Sequence, residues 1–292
     1  MDGALTLQLL LNALALGAAY GLVALGFALV IGATGAVNFA QGDLVMAGGF
    51  LTVALASLLP VDGLLLLPLV VLAMAGLGLA VCAVAYLPFR NAPPVSVFVS
   101  TIAIGIMLQN GANGLFGAAP RAGPPLLSGG GEPGGLDLDR QSLAVIAAAV
   151  LLAGGTWLML YRTQLGRRMR ATAQDPEMAR AMGVNTTRTI ALTFALATAL
   201  AGAAGLLLSN RYFVTPVEGS NLMLKAYIAV VVGGWGRIGG ALAGALLVAG
   251  FEVIVSAVLS YPVAEAGLYI CVLLLLLLRP QGLFGEALGR RV

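Results

Sequence analysis

Between two long apolar runs, residues 162–188 read RTQLGRRMRATAQDPEMARAMGVNTTR. The stretch carries Arg162, Arg167, Arg168, Arg170, Arg180 and Arg188, and nowhere else is the chain so polar. Each flank is long enough for a helix to cross a bilayer, which takes about 20 apolar residues. An arginine-rich connection between two such runs is what a membrane protein keeps on its cytoplasmic side. The punctuation of one short helix is written inside it. Asp175 is placed to cap its start, Pro176 suits the first helical position, and Glu177 sets negative charge at the positive end of the dipole. Gly183 supplies the left-handed residue that ends it. A short, capped, amphipathic helix suits docking in a groove of another protein. The plainer reading is a solvated loop whose arginines only fix topology.

Working outward, the rest of the chain is oily: of 292 residues, 60% are hydrophobic and 9% charged, where soluble domains carry about 25% charged residues. Lipid cannot satisfy backbone polar groups, and the alternating polar positions of a barrel are absent, so the class is all-α and polytopic. Apolar runs predict about eight to nine transmembrane segments in a single domain over 1–292, with 162–188 as a cytoplasmic loop. The runs lie near 5–31, then a second that ends about 59, 64–87, 96–116, 142–161, 189–209, 222–235, one that follows 233–240 and ends about 259, and 264–278. The 222–235 run is short and reads as a crossing or as a broken, re-entrant half-helix. Residues 117–141 are rich in Gly and Pro and predict an irregular external loop. Asp2 precedes the first run without a basic region, so that run reads as a retained span. No internal repeat is legible.

Basic residues set the orientation. With the N-terminus outside and the C-terminus in the cytoplasm, Arg90, the six loop arginines, Arg237, Arg279, Arg290 and Arg291 lie inside. Only Arg121, Arg140, Arg211 and Lys225 then lie outside, and the reverse arrangement inverts that balance.

Several chemistries are excluded or disfavoured. Histidine is absent, which removes the commonest metal ligand and proton shuttle. Cys82 and Cys271 sit in apolar runs and read as packing residues. Lys225 is the only lysine and follows Leu224, so no phosphate-binding GxxxxGK[ST] loop exists. No HExxH motif or serine–histidine pair points to hydrolysis, and the net charge of +3 reflects membrane-edge arginines, with no nucleic acid implied.

Polar residues inside apolar runs are the candidate functional groups. Asn38, Gln41 and Asp43, beside Gly35 and Gly42, predict either an unwound helix facing a cavity or a polar turn between spans. Glu252 lies in the middle of ALLVAGFEVIVSAVL and needs a partner, for which Lys225 and Arg237 are available. Gln109 and Asn110 line a route or tie helices together.

The motifs then carry a resemblance. GAVNFAQGDLVMAGGF at 35–50, GIMLQN at 105–110, LGRRMRATAQDPEMARAMGVNTTRTIALTFALATALAGAAGLL at 165–207, AVVVGGWGRIGGALAGALL at 229–247 and RPQGLFG at 279–285 occur in that order. Together they resemble permease subunits of bacterial ABC importers of the high-affinity branched-chain amino acid type, in particular the shorter of two paralogous permeases. The resemblance implies that 175–183 is a coupling helix seated in a cleft of a cytoplasmic ATPase. Asp175, Pro176, Glu177, Met178, Ala179, Arg180 and Gly183 would form it, with Arg167, Arg168 and Arg170 in its basic approach. It further implies a second permease (a longer paralogue or another copy), two ATPase subunits, an external solute-binding protein and the cytoplasmic membrane as location. ATP and magnesium would bind those partners, and this chain would hold no cofactor. Gln41 stands where the family often has histidine, a departure bearing on substrate. Import of urea or short amides by the same architecture is the alternative, and an ion-coupled transporter using Asp43 and Glu252 comes after it.

Overall fold

The computed structural model describes residues 3–127 and 140–284; Asp2, residues 128–139 of the external loop, Arg290 and Arg291 lie outside the described residues. The chain folds into α1 (Gly3–Thr34), α2 (Gln41–Leu58), α3 (Gly63–Val81), α4 (Pro94–Phe116), α5 (Arg140–Arg162), α6 (Gln164–Gln174), α7 (Pro176–Ala181), α8 (Thr186–Ser209), α9 (Glu218–Gly233), α10 (Ile238–Val258) and α11 (Tyr261–Leu278). Among the described residues eight helices are long and apolar enough to cross a membrane. α9, with 16 residues, is not among them.

Connections define two ends of the bundle. At one, Gly63 N–H donates to the Pro125 carbonyl (2.8 Å), Gly123 N–H to the Ser209 carbonyl (2.7 Å), and Arg121 pairs with Val214 as an antiparallel bridge. At the other, Arg90 donates to the Thr187 hydroxyl (3.0 Å) and Leu283 N–H to the Val232 carbonyl (2.8 Å), beside α6 and α7. The short α9 starts after the first of these ends and finishes at the second. Its 16 residues rise about 24 Å, so it does not turn back on itself. Of the two readings of this run, a crossing or a re-entrant half-helix, the placement of its two ends supports a short crossing that begins inside the bundle, at Glu218 rather than Leu222.

α1 and α8 are the central helices, each buried over most of its length, while α4 and α11 lie at the periphery. α1 packs chiefly on α10, and α3 on α8; α1 also meets α8, and α2 meets α9. Exchanging α1 with α8, α2 with α9, α3 with α10 and α4 with α11 preserves these partnerships and reverses every direction of travel. The four-helix unit is thus repeated in inverted topology, which the sequence did not reveal. Both copies follow their central helix with a half-helix that starts in the interior. Gly42 and Gly219 lie where those half-helices cross. A methyl group on Gly42 would overlap the Gly219 carbonyl, and one on Gly219 would overlap the Asp43 carboxylate.

Candidate coupling helix and buried polar clusters

The 162–188 loop folds as two helices and not one. α6 starts at Thr163, whose hydroxyl accepts from Gly166 N–H at 3.1 Å, and it turns Gly166, Met169 and Thr172 inward. Asp175 closes α6 and opens α7: its Oδ1 accepts from Glu177 and Met178 N–H, each at 2.9 Å. Gly183 has φ of 81°, the left-handed conformation expected after the helix. Asn185 then caps α8 by accepting from Arg188 N–H at 2.9 Å.

The ten residues expected to couple do not all face outward. Arg167, Arg168, Asp175, Pro176, Glu177, Met178, Arg180 and Gly183 are exposed. Ala179 is buried and anchors α7. Arg170 turns inward, donating to the Leu160 carbonyl at the end of α5 and lying over the Tyr161 ring at 4.7 Å. Met178 and Met182 are 62% and 79% exposed, an apolar pair standing out of an arginine-rich surface.

Residues 35–40 are a turn joining two separate spans, α1 and α2, and the polar side chains at its end, Asn38, Gln41 and Asp43, are buried in the bundle rather than solvated. Asn38 donates to Gln41 Oε1 at 3.4 Å, and Gln41 Nε2 donates to the Ala197 carbonyl of α8 at 3.3 Å. Asp43 lies in the first turn of α2 and beside the first turn of α9, where two helix N-termini present positive dipole ends. Gln109 Nε2, from α4, donates to Asp43 Oδ1 at 2.8 Å and to Ser220 Oγ at 3.2 Å. Asn110 is exposed and donates to the Ile106 carbonyl of its own helix at 2.8 Å.

Glu252 belongs to a separate cluster. Lys225 Nζ contacts its Oε1 at 2.7 Å, so Lys225 and not Arg237 is the partner. Lys225 also donates to the hydroxyls of Tyr20 (3.1 Å) and Tyr261 (2.9 Å), and Tyr20 donates to Glu252 Oε2 at 3.2 Å. All three ammonium hydrogens have acceptors. The cluster lines a cavity of about 480 Å³ at the end that carries the α8–α9 connection. A second cavity, about 700 Å³, opens at the opposite end between α1, α5, α6 and α10. Tyr20 and Tyr261 went unremarked in the sequence, where neither stands out from a membrane helix. Among the described residues no cluster of His, Cys, Asp and Glu could hold a metal ion.

The family model for the branched-chain amino acid transport system permease component matches residues 9–278. The high-affinity branched-chain amino acid transport system permease protein BraD of Pseudomonas aeruginosa is 33% identical, covering 96% of each chain. LivH of Escherichia coli K12, bearing the same description, is also 33% identical over 96% of each. A probable branched-chain amino acid permease LivH of Methanocaldococcus jannaschii is 30% identical over 78% of this chain and 74% of its own. With eight helices among the described residues long and apolar enough to cross a membrane, and these relatives, the protein is a multi-pass protein of the cytoplasmic membrane. The chain belongs to the family of permease components of branched-chain amino acid transport systems.

Proposed function

We propose that this chain is one of two permease subunits of an ATP-driven importer, carrying branched-chain or similar aliphatic amino acids inward, with ATP and magnesium held by separate ATPase subunits. An external binding protein delivers the substrate. The observation that carries the reading is α7: a helix capped at both ends, anchored by Ala179, with Glu177, Met178 and Met182 exposed. Exposed methionines on a rigid, charged support fit a groove in another protein. Arg90, Arg162, Arg167, Arg168, Arg188 and Arg237 share that end of the bundle, which supports a cytoplasmic placement. The interior half-helix starts, bridged by Gln109, supply an element able to adopt two arrangements. Relatives described as branched-chain amino acid permeases over 96% of the chain support the substrate class against urea or amides.

The test is purification of the full chain from membranes with its neighbours, followed by ATP-driven uptake of leucine in proteoliposomes. Glu177→Lys and Gly183→Trp are expected to insert normally yet lose most uptake while ATP hydrolysis continues. Unchanged uptake in both variants, or no co-purifying ATPase, overturns the reading.

A further inference from the structure

A buried ion pair needs a reason. Replacing such a pair by apolar groups is often neutral or stabilising, so stability alone does not account for one. Lys225 and Glu252 are 3% and 7% exposed, yet they are not sealed by packing on every side: both line the cavity of about 480 Å³. The volume falls within the roughly 300–1,000 Å³ of small-molecule sites. Its walls combine Leu16, Val45, Leu208 and Leu222 with a positive and a negative charge on one floor and Glu218 on the rim.

We propose that this cavity, within the single chain, binds one zwitterionic α-amino acid with an aliphatic side chain; the proposal rests on the function given above. The ligand carboxylate takes the place of the Tyr261 hydroxyl on Lys225 Nζ, the one of its three partners contributed by a half-exposed residue. The ligand ammonium meets Glu252, whose other oxygen is already held by the buried Tyr20 hydroxyl. The protein's two charges re-pair with the ligand's two, so no charge is left uncompensated in the membrane and no proton need move. The aliphatic side chain then lies along Leu16, Leu208 and Leu222. A ligand lacking either charge would strand one member of the pair.

The experiment is equilibrium binding of radiolabelled L-leucine to the full chain, with whatever partners co-purify, in lipid nanodiscs and without any binding protein. Saturable binding is expected, with 4-methylpentanoate (no ammonium) and 3-methylbutylamine (no carboxylate) each competing about tenfold or more weakly than leucine. The double variant Lys225→Met/Glu252→Met should keep its thermal transition and lose binding. Leu222→Trp, which fills the cavity and leaves the ion pair in place, should lose binding as well. Absence of saturable leucine binding in the wild type, equal competition by both analogues, or undiminished binding in the double variant overturns the site. ATPase co-purification, scored on the same preparation, bears on the transporter reading alone, so the two fail separately.

Discussion

The half-helices α2 and α9 hold equivalent places in the inverted repeat, and they grip their surroundings by different means. Gln41-Gly42-Asp43 with Met46 corresponds to Glu218-Gly219-Ser220 with Met223, which sets Gly48 opposite Lys225. At Gly48 the first half-helix touches the Gly202 backbone of α8, with no room for a methyl group. At Lys225 the second half-helix meets Tyr20, Glu252 and Tyr261 through buried hydrogen bonds on the cavity lining. At this pair of positions one copy is joined by close backbone contact and the other by charged and hydroxyl groups beside a cavity. The same topology is thus fastened at these equivalent points by two kinds of contact, and substitutions at the two should fail in different ways.

The largest effect is expected at the charged joint. Lys225→Ala leaves Glu252 buried without its counter-charge, and loss of one partner from such a pair costs about 3–5 kcal/mol. Thermal unfolding in detergent, followed by fluorescence-detected gel filtration, should show a large drop that the double methionine variant recovers. A small drop in the single variant would mean that the carboxylate reaches water, and that the two joints differ less than described.

This pair also marks the limit of what the sequence made legible. Glu252 stood out because a carboxylate in an apolar run demands a partner, and Lys225 was one of two candidates. Choosing between them required knowing how α9 packs on α10, which brings Lys225, 27 positions away in sequence, within 2.7 Å of the Glu252 carboxylate. The Asp175 cap and Gly183 were readable because capping is local: donor and acceptor lie two or three residues apart. α6 was missed because Gly166, Met169 and Thr172 make its inner face from one apolar side chain and two small residues. The inverted repeat was missed because its copies share little beyond a glycine and a methionine at the half-helix start, the constraint being backbone approach and not side-chain identity.

Next in size is the close backbone joint. Gly48→Val forces α2 away from Gly202, and overpacking of this kind costs about 1–3 kcal/mol. Gly111→Val on the peripheral α4, where nothing lies within 4 Å, should change stability by about 0.5 kcal/mol or less. Equal shifts in the two thermal transitions would mean that the close approach of α2 to α8 at Gly48 imposes no special constraint. Gln109→Leu comes close behind, removing the donor shared by Asp43 and Ser220, for about 1–3 kcal/mol. Asn110→Leu, one residue along, takes away only a bond to its own helix and serves as the control.

The smallest expected change in stability lies outside the repeat. Asp175→Ala removes the acceptor for Glu177 and Met178 N–H, and loss of an N-cap costs about 1 kcal/mol. α7 is only six residues long and touches the bundle through Ala179, so that cost falls on the helix itself while the thermal transition of the bundle hardly moves. Its functional consequence should be larger than its stability consequence, because a frayed helix presents Met178 and Met182 without a fixed direction. Asp175→Asn, which keeps a capping oxygen, should restore most uptake; Asp175→Ala should lower it several-fold with ATP hydrolysis retained. Equal uptake in the two variants would show that force passes through α6 instead, and would shift attention to Arg167 and Arg168 on its exposed face.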